Sequence, residues 1–255
     1  MSELQEAVRA RYADRALKMA EGGAGCCEGG QCCESDATCG EGYSAEELAS
    51  VGLDATASLG CGNPTLLADL HPGETVLDLG SGAGIDVLLS ARRVSPGGHA
   101  YGVDMTDEML AVARENQRKA GVANATFVKG TLEQLPLEDA AVDVIISNCV
   151  INLAADKTAV LREAYRVLRP AGRLAVADMV AIEDLAPEVK KSLDLWAGCI
   201  AGTISLEAYT DALRDAGFKD VGIEITRDIR LEGVDGRIAS AYIRATKPAA
   251  VVAAR

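Results

Sequence analysis

Val76-Leu77-Asp78-Leu79-Gly80-Ser81-Gly82-Ala83-Gly84-Ile85-Asp86 decides how this chain is read. An apolar run meets one acidic residue, crosses three glycines at alternate positions and resumes as an amphipathic helix. That is the pattern of a buried parallel strand, a tight turn and a helix N-terminus that can hold a nucleotide-like ligand. Glycine suits the turn because a side chain would keep the backbone away from that ligand.

Downstream of this stretch the chain alternates regularly. Strands are expected over 75–79, 100–104, 126–129, 142–147 and 174–178, with helices over 84–93, 106–120 and 156–168. Apolar strands separated by helices of this length read as βαβ units and a parallel sheet. Pro170-Ala171-Gly172 reads as the tight turn into the fifth strand. After Asp178 the rhythm changes. Two helices are expected over 187–197 and 205–216, the second closed by Gly217, then two strands over 221–229 and 239–247 joined around 233–236. That pair suggests an antiparallel edge hairpin, and 248–255 reads as a frayed tail.

Upstream, Leu4, Val8, Tyr12 and Leu17 recur near helical spacing, which predicts an N-terminal helix over about 3–20. A glycine-dense loop follows, carrying Cys26, Cys27, Cys32, Cys33 and then Cys39. Ser44 and Glu47 form a capping-box pattern opening a short helix, and a further helical piece is expected over 66–70.

Composition narrows the function. Hydrophobic residues make up 49% of 255, enough for a sizeable core, but aromatics are only 4%, so that core is aliphatic. The net charge of −13 argues against nucleic acid as a partner. No apolar run has the length of a signal-peptide core or a membrane span, so the expectation is a cytoplasmic protein away from membranes. Eight cysteines in a reducing compartment point to metal, catalytic or redox roles more than to a disulfide framework. His71 and His99 read as loop or strand-edge residues.

Three ligands compete for the glycine loop. Hydride-transfer folds use Gly-x-Gly-x-x-Gly, whereas Gly80, Gly82 and Gly84 are spaced Gly-x-Gly-x-Gly. A phosphate loop would end in Gly-Lys-Ser/Thr, and this one continues Gly84-Ile85-Asp86. S-adenosylmethionine remains: its methionine end carries no phosphate and needs a closely approaching backbone. Asp78 can orient the methionine ammonium through the loop, and Asp104, ending the second strand, can accept both ribose hydroxyls. Residues 75–180 resemble the class I S-adenosylmethionine-dependent methyltransferases. The resemblance implies an α/β, Rossmann-like, seven-stranded, mostly parallel sheet with helices on both faces and an antiparallel C-terminal hairpin. It also implies cofactor contacts from Ser81, Met105, Thr131, Leu132 and Asn148 beside Asp78, Gly80, Gly82, Gly84 and Asp104.

The acceptor is read from sulfur. Cys149 follows the fourth strand in Ser147-Asn148-Cys149-Val150-Ile151-Asn152, where the acceptor of an open α/β sheet belongs. A buried structural cysteine is the competing reading. Cys61 lies in Gly60-Cys61-Gly62-Asn63-Pro64 and Cys199 in Gly198-Cys199-Ile200-Ala201-Gly202, both outside the regular core. Three such thiols make a soft-ligand set. Zinc would call for paired Cys-x-x-Cys spacing, which is missing. Trivalent arsenic fits better: it takes three sulfurs in a pyramid and keeps a lone pair that can attack a sulfonium methyl without a general base. Binding as thiolates calls for helix ends or local dipoles to aid deprotonation.

These motifs resemble the arsenite methyltransferase family over roughly residues 40–245. By that resemblance Cys149 and Cys199 bind As(III), and Cys61 is the third ligand or half of a disulfide formed during turnover. The family's fourth cysteine precedes Cys61 by a distance that Cys32 and Cys33 both satisfy. The resemblance implies arsenite or methylarsenite as substrate, S-adenosylhomocysteine as product, and a thiol reductant, thioredoxin or glutathione, as co-substrate. In outline, 1–70 is expected to cover the site with a helix and a Cys-rich loop, 71–180 to bind the cofactor, and 181–255 to cover the substrate and complete the sheet. Two other functions stay open at this point: a small-molecule C- or O-methyltransferase with core cysteines, and a thiol-rich metalloid-binding protein.

Overall fold

Side chains of Thr75–Leu79 (β1) are buried on alternate sides: Val76 packs into one apolar cluster, and Leu77 and Leu79 into another. That period of two gives the sheet two buried faces, each needing helices to cover it. A computed structural model of the chain describes residues 2–20, 42–53, 60–230 and 236–250.

β1 pairs in parallel with His99–Asp104 (β2) and with Val142–Asn148 (β4). Ala125–Lys129 (β3) extends the sheet beyond β2, and Leu168–Ala181 (β5) extends it beyond β4. Ile238–Thr246 (β7) then runs antiparallel to β5, with Lys219–Ile229 (β6) antiparallel to β7 at the edge. The order is β3-β2-β1-β4-β5-β7-β6. The expected hairpin therefore folds with its second strand inside, and β7 is correspondingly the more buried of the two.

Helices cover both faces. Ile85–Arg93 (the fourth helix, α4) and Asp107–Ala120 (α5) pack on the Val76 side, while Lys157–Val167 (α6) and Leu206–Asp215 (α9) pack on the Leu77 side. Glu3–Ala20 (α1) lies against α5 and α8 (Leu193–Ala197). The capping box opens Ala45–Ser50 (α2): Ser44 Oγ accepts the Glu47 N–H at 3.1 Å, and Glu47 Oε2 accepts the Ser44 N–H at 2.8 Å. Pro64–Leu67 (α3) starts earlier than expected because Asn63 caps it and Pro64 occupies its first turn. Among the described residues no helix is long and apolar enough to cross a membrane.

Two local expectations need correcting. Pro170-Ala171-Gly172 does not precede the fifth strand but lies within its span: the register jumps from Val142↔Leu168 to Val144↔Arg173, so Arg169 to Gly172 bulge opposite Asp143. The helix expected over 187–197 is broken into Pro187–Lys191 (α7) and α8, because the Ser192 hydroxyl accepts the Leu195 N–H and starts the second piece. The Cys-rich loop, Leu59, most of the loop around 233–236 and the end of the 248–255 tail lie outside the described residues.

Candidate active site

β1 is the point at which the chain reverses its direction of travel across the sheet, toward β2 first and toward β4 later. Ligands of open α/β sheets bind outside the strand carboxyl ends at that point. A cleft lies there, with about 1000 Å³ of free space that is partly open to solvent. Its floor is Asp78 and the loop Gly80-Ser81-Gly82; Asp104 and Met105 close one side, Thr131 and Leu132 another, and Asn148 faces them from β4. α1 forms the roof through Gln5, Val8 and Tyr12.

Gly82 and Gly84 of the loop have different tasks. Gly82 has φ +48°, and a Cβ there would meet nothing within 4 Å. It presents bare backbone to the cleft. Gly84 has φ +89°, and its Cβ would lie 2.7 Å from Phe127. It does not line the cleft, so its place among the expected cofactor contacts is corrected: it lets α4 start against β3 and α5. Close packing, not ligand approach, requires glycine there.

Of the acids at the strand ends, Asp78 is buried and Asp104 half-buried. Asp104 Oδ2 accepts the Gly82 N–H at 2.9 Å and Oδ1 accepts the Thr106 N–H at 2.8 Å, which fixes the carboxylate at the cleft edge. Burial, with Asp86 and Asp104 nearby, pushes Asp78 well above the usual carboxylate range. Asp86, which also lines the cleft, is pushed up to about 6 by burial, with Tyr43 and Asn148 hydrogen bonds opposing. None of the described residues lining the cleft is basic. The buried Ser81 hydroxyl has no hydrogen-bond partner among the described residues. A ligand bearing an ammonium, a sulfonium and ribose hydroxyls answers each of these features, so the residues present fit S-adenosylmethionine.

Across the wall from this cleft lie the thiols. Cys61 and Cys149 are joined in a disulfide, with Cα atoms 6.0 Å apart. The Cys199 thiol donates to the Cys149 carbonyl at 2.9 Å. Met179, Leu185, Val189 and Ile238 pack around all three. Cys149 (φ +58°) and Cys199 (φ +63°) both adopt left-handed backbone, a conformation costing a non-glycine residue about 1–3 kcal/mol and concentrated at functional sites. The sulfurs do not line the cleft, but their neighbours do: Gly60, Asn148 and Val150 flank Cys61 and Cys149, and Tyr12 touches the cluster of Cys199. As they stand, two of the three expected arsenic ligands hold each other, and no described group of three His, Cys, Asp or Glu residues is arranged as a metal site. Cys32 and Cys33 lie outside the described residues.

The expectation of a deprotonation-favouring setting is overturned for Cys199. Burial pushes its thiol up to about 12, and Asp178 adds to the push against Tyr12, Arg15 and Arg11. Asp178 itself, fully buried on β5, is pushed up to about 7 by burial, although the Met179 N–H and the Asn152 amide hold its Oδ1 at 2.9 and 2.8 Å. His71 and His99 lie away from the cleft, in a turn and at the start of β2. Sequence reasoning missed Tyr43, Asp86 and Asp178. Asp178 did carry a signal, an acid inside an apolar strand; Tyr43 carried none.

Residues 70–217 match the family model described as a methyltransferase domain. The arsenite methyltransferase of Halobacterium salinarum is 42% identical over 97% of this chain and 67% of its own length. The chain belongs to the arsenite methyltransferase family. The arsenite methyltransferase of Aquipseudomonas alcaligenes is 43% identical over 63% of this chain, which spans about half (48%) of that relative. The crystal structure of CrArsM, an arsenic (III) S-adenosylmethionine methyltransferase from Chlamydomonas reinhardtii, superimposes with a TM-score of 0.68 at 33% identity, covering 81% of this chain and 71% of that one. The seven-stranded sheet with its reversed C-terminal strand is the methyltransferase fold, and S-adenosylmethionine is the cofactor of this family member.

Proposed function

We propose that this methyltransferase methylates trivalent arsenic held by Cys149 and Cys199, with Cys61 as third ligand in the reduced protein. The observation that carries the reading is the meeting of three cysteines, distant in sequence, in one apolar shell sharing a wall with the donor cleft. S-adenosylmethionine, when bound, supplies an electrophilic methyl on sulfur. Asp104 holds ribose hydroxyls, Asp78 and Asp86 face the positive end of the donor, and Gly82 allows its close approach. α1 keeps water from the cleft.

On the acceptor side each arsenic–oxygen bond of arsenite is exchanged for an arsenic–sulfur bond. The thiol proton leaves with the departing hydroxide as water, so no separate base is needed and a Cys199 thiol that stays protonated is no obstacle. The resulting neutral thioarsenite suits the shell of Met179, Leu185, Val189 and Ile238. Alignment of arsenic and methyl then supplies most of the acceleration, an effect worth roughly 7–11 kcal/mol for well-oriented pairs. The Cys61–Cys149 disulfide fits the oxidised resting form. A thiol reductant, thioredoxin or glutathione in a cytoplasmic setting, returns both sulfurs to the ligand set. Methylarsenite, needing fewer sulfurs, is a second substrate of the same site.

Incubation with S-adenosylmethionine, a thiol reductant and arsenite, followed by arsenic speciation, tests the reading. Methylated arsenic is the expected result. Arsenic retained by the protein without methylation would make it a metalloid-binding protein, and neither outcome would point to a small-molecule C- or O-methyltransferase.

A further inference from the structure

Tyr43 has no assigned part in donor or arsenic binding, yet it joins the two. Its hydroxyl donates to Asp86 Oδ1 at 2.7 Å and accepts from Asn148 Nδ2 at 2.9 Å. The Asn148 amide also donates to the Gly62 carbonyl at 2.8 Å, and its Oδ1 accepts the Cys61 N–H at 2.9 Å. Tyr43, Asp86 and Asn148 all line the donor cleft. A continuous chain of hydrogen bonds thus runs from the cleft wall to the backbone on both sides of the Cys61 side chain.

The fit along this chain is tight. A Cβ on Gly60 would lie 2.1 Å from the Asn148 amide, so the Cys61 segment cannot shift without moving Asn148. Asn148 has two N–H bonds, and both are committed: the third acceptor, Asp86 Oδ2, is 3.4 Å away. Burial and Asp86 hold the Tyr43 proton well beyond its ordinary range, so the hydroxyl stays a donor. In a buried setting such chains polarise one another, and removal of one member is felt by the rest.

We propose that Tyr43 is a positioning residue through which occupancy of the donor cleft sets the geometry and reactivity of Cys61. The inference rests on the reading of the cleft as the S-adenosylmethionine site. A cationic donor beside Asp78 and Asp86 draws Asp86 into its charged form and shortens its bond from Tyr43. That bond fixes Asn148, and Asn148 holds Cys61 toward Cys149. Linkage makes the coupling reciprocal: opening the disulfide changes donor affinity by the same factor.

The oxidised full-length protein, with no arsenite present so that no methyl is transferred, provides the test. Dithiothreitol opens the Cys61–Cys149 bond to two thiols and is itself oxidised to its cyclic disulfide. Maleimide trapping and mass spectrometry of the Cys61 and Cys199 peptides follow the reaction. Each protein is measured with and without S-adenosylmethionine well above its own calorimetric Kd. In the wild type the donor is expected to slow exposure of Cys61 by about fivefold or more, and Tyr43→Phe to reduce that ratio to about twofold or less. Asp86→Asn, which keeps the shape and removes the charge, gives the same loss should the first variant fold poorly. Cys199, beside Tyr12 and off the chain, keeps its wild-type dependence on the donor in both variants. An unchanged Cys61 ratio in the variants, or loss at Cys61 and Cys199 together, overturns the coupling. Failure of the wild type to bind S-adenosylmethionine is seen first, in the calorimetry, and strikes the cofactor reading itself.

Discussion

Single positions separate ligand approach from packing in the glycine loop. Gly82 faces open cleft and Gly84 faces Phe127, although sequence spacing treats them alike. Gly82→Ala adds a methyl to the space the donor occupies, so the expected outcome is a loss of S-adenosylmethionine affinity larger than any loss of stability. Gly84→Ala forces a 2.7 Å contact in addition to a left-handed backbone. It should lower stability by about 2–4 kcal/mol while the residual folded protein binds the donor nearly as well. Calorimetry and denaturant melts on both variants check the contrast. The same residue scale explains why Cys199 defied expectation. Binding as a thiolate calls for a helix end or dipole to aid deprotonation, but the setting of this thiol is decided by what folds over it, here Tyr12 of α1 and Trp196 of α8.

At the scale of elements, β5 carries a buried carboxyl, Asp178, across from the 3-10 turn Ile151–Leu153 through Asn152. Its pKa is raised from 3.8 to about 7, so the folded state binds a proton that the unfolded chain gives up at lower pH. Stability from this group is complete below the unfolded value and is lost as pH rises through about 7. Asp178→Asn keeps the Oδ1 acceptor and removes the charge. The wild type should therefore lose stability between pH 5 and pH 8 by up to roughly 3 kcal/mol more than the variant, measured by denaturant melts at both pH values. The strand–helix alternation from β1 to β5 was legible because the central strands β1 and β4 are buried on both faces and the helices are long and periodic. The bulge at Arg169 to Gly172 and the break at Ser192 were not: each depends on one local choice, a register jump or a hydroxyl competing for an N–H, that leaves the hydrophobic pattern unchanged. Strand order in the C-terminal hairpin was equally hidden, since either strand pairs acceptably with β5 until the burial of β7 is compared with that of β6.

Across the whole molecule, the sheet presents a donor cleft at β1, β2 and β3 and a thiol shell at β4 and β5, with Asn148 and Gly60 between them. The donor side was readable as far as Asp78, Gly82 and Asp104, because its residues follow strand ends in order. The thiol side was readable as a residue set, but not as an arrangement, since Cys61, Cys149 and Cys199 meet only through tertiary folding. Tyr43 was illegible in this role, since it comes from outside the strand–helix repeat. The central claim is that arsenic sits on the thiols of Cys61, Cys149 and Cys199 facing the methyl donor, and Cys199 tests it most cleanly because it takes no part in the disulfide. Single-turnover methylation of arsenite by the reduced Cys199→Ser protein, at saturating S-adenosylmethionine, is the decisive measurement. The account predicts a rate lower by about 100-fold or more with donor affinity retained; a rate close to that of the wild type would contradict it.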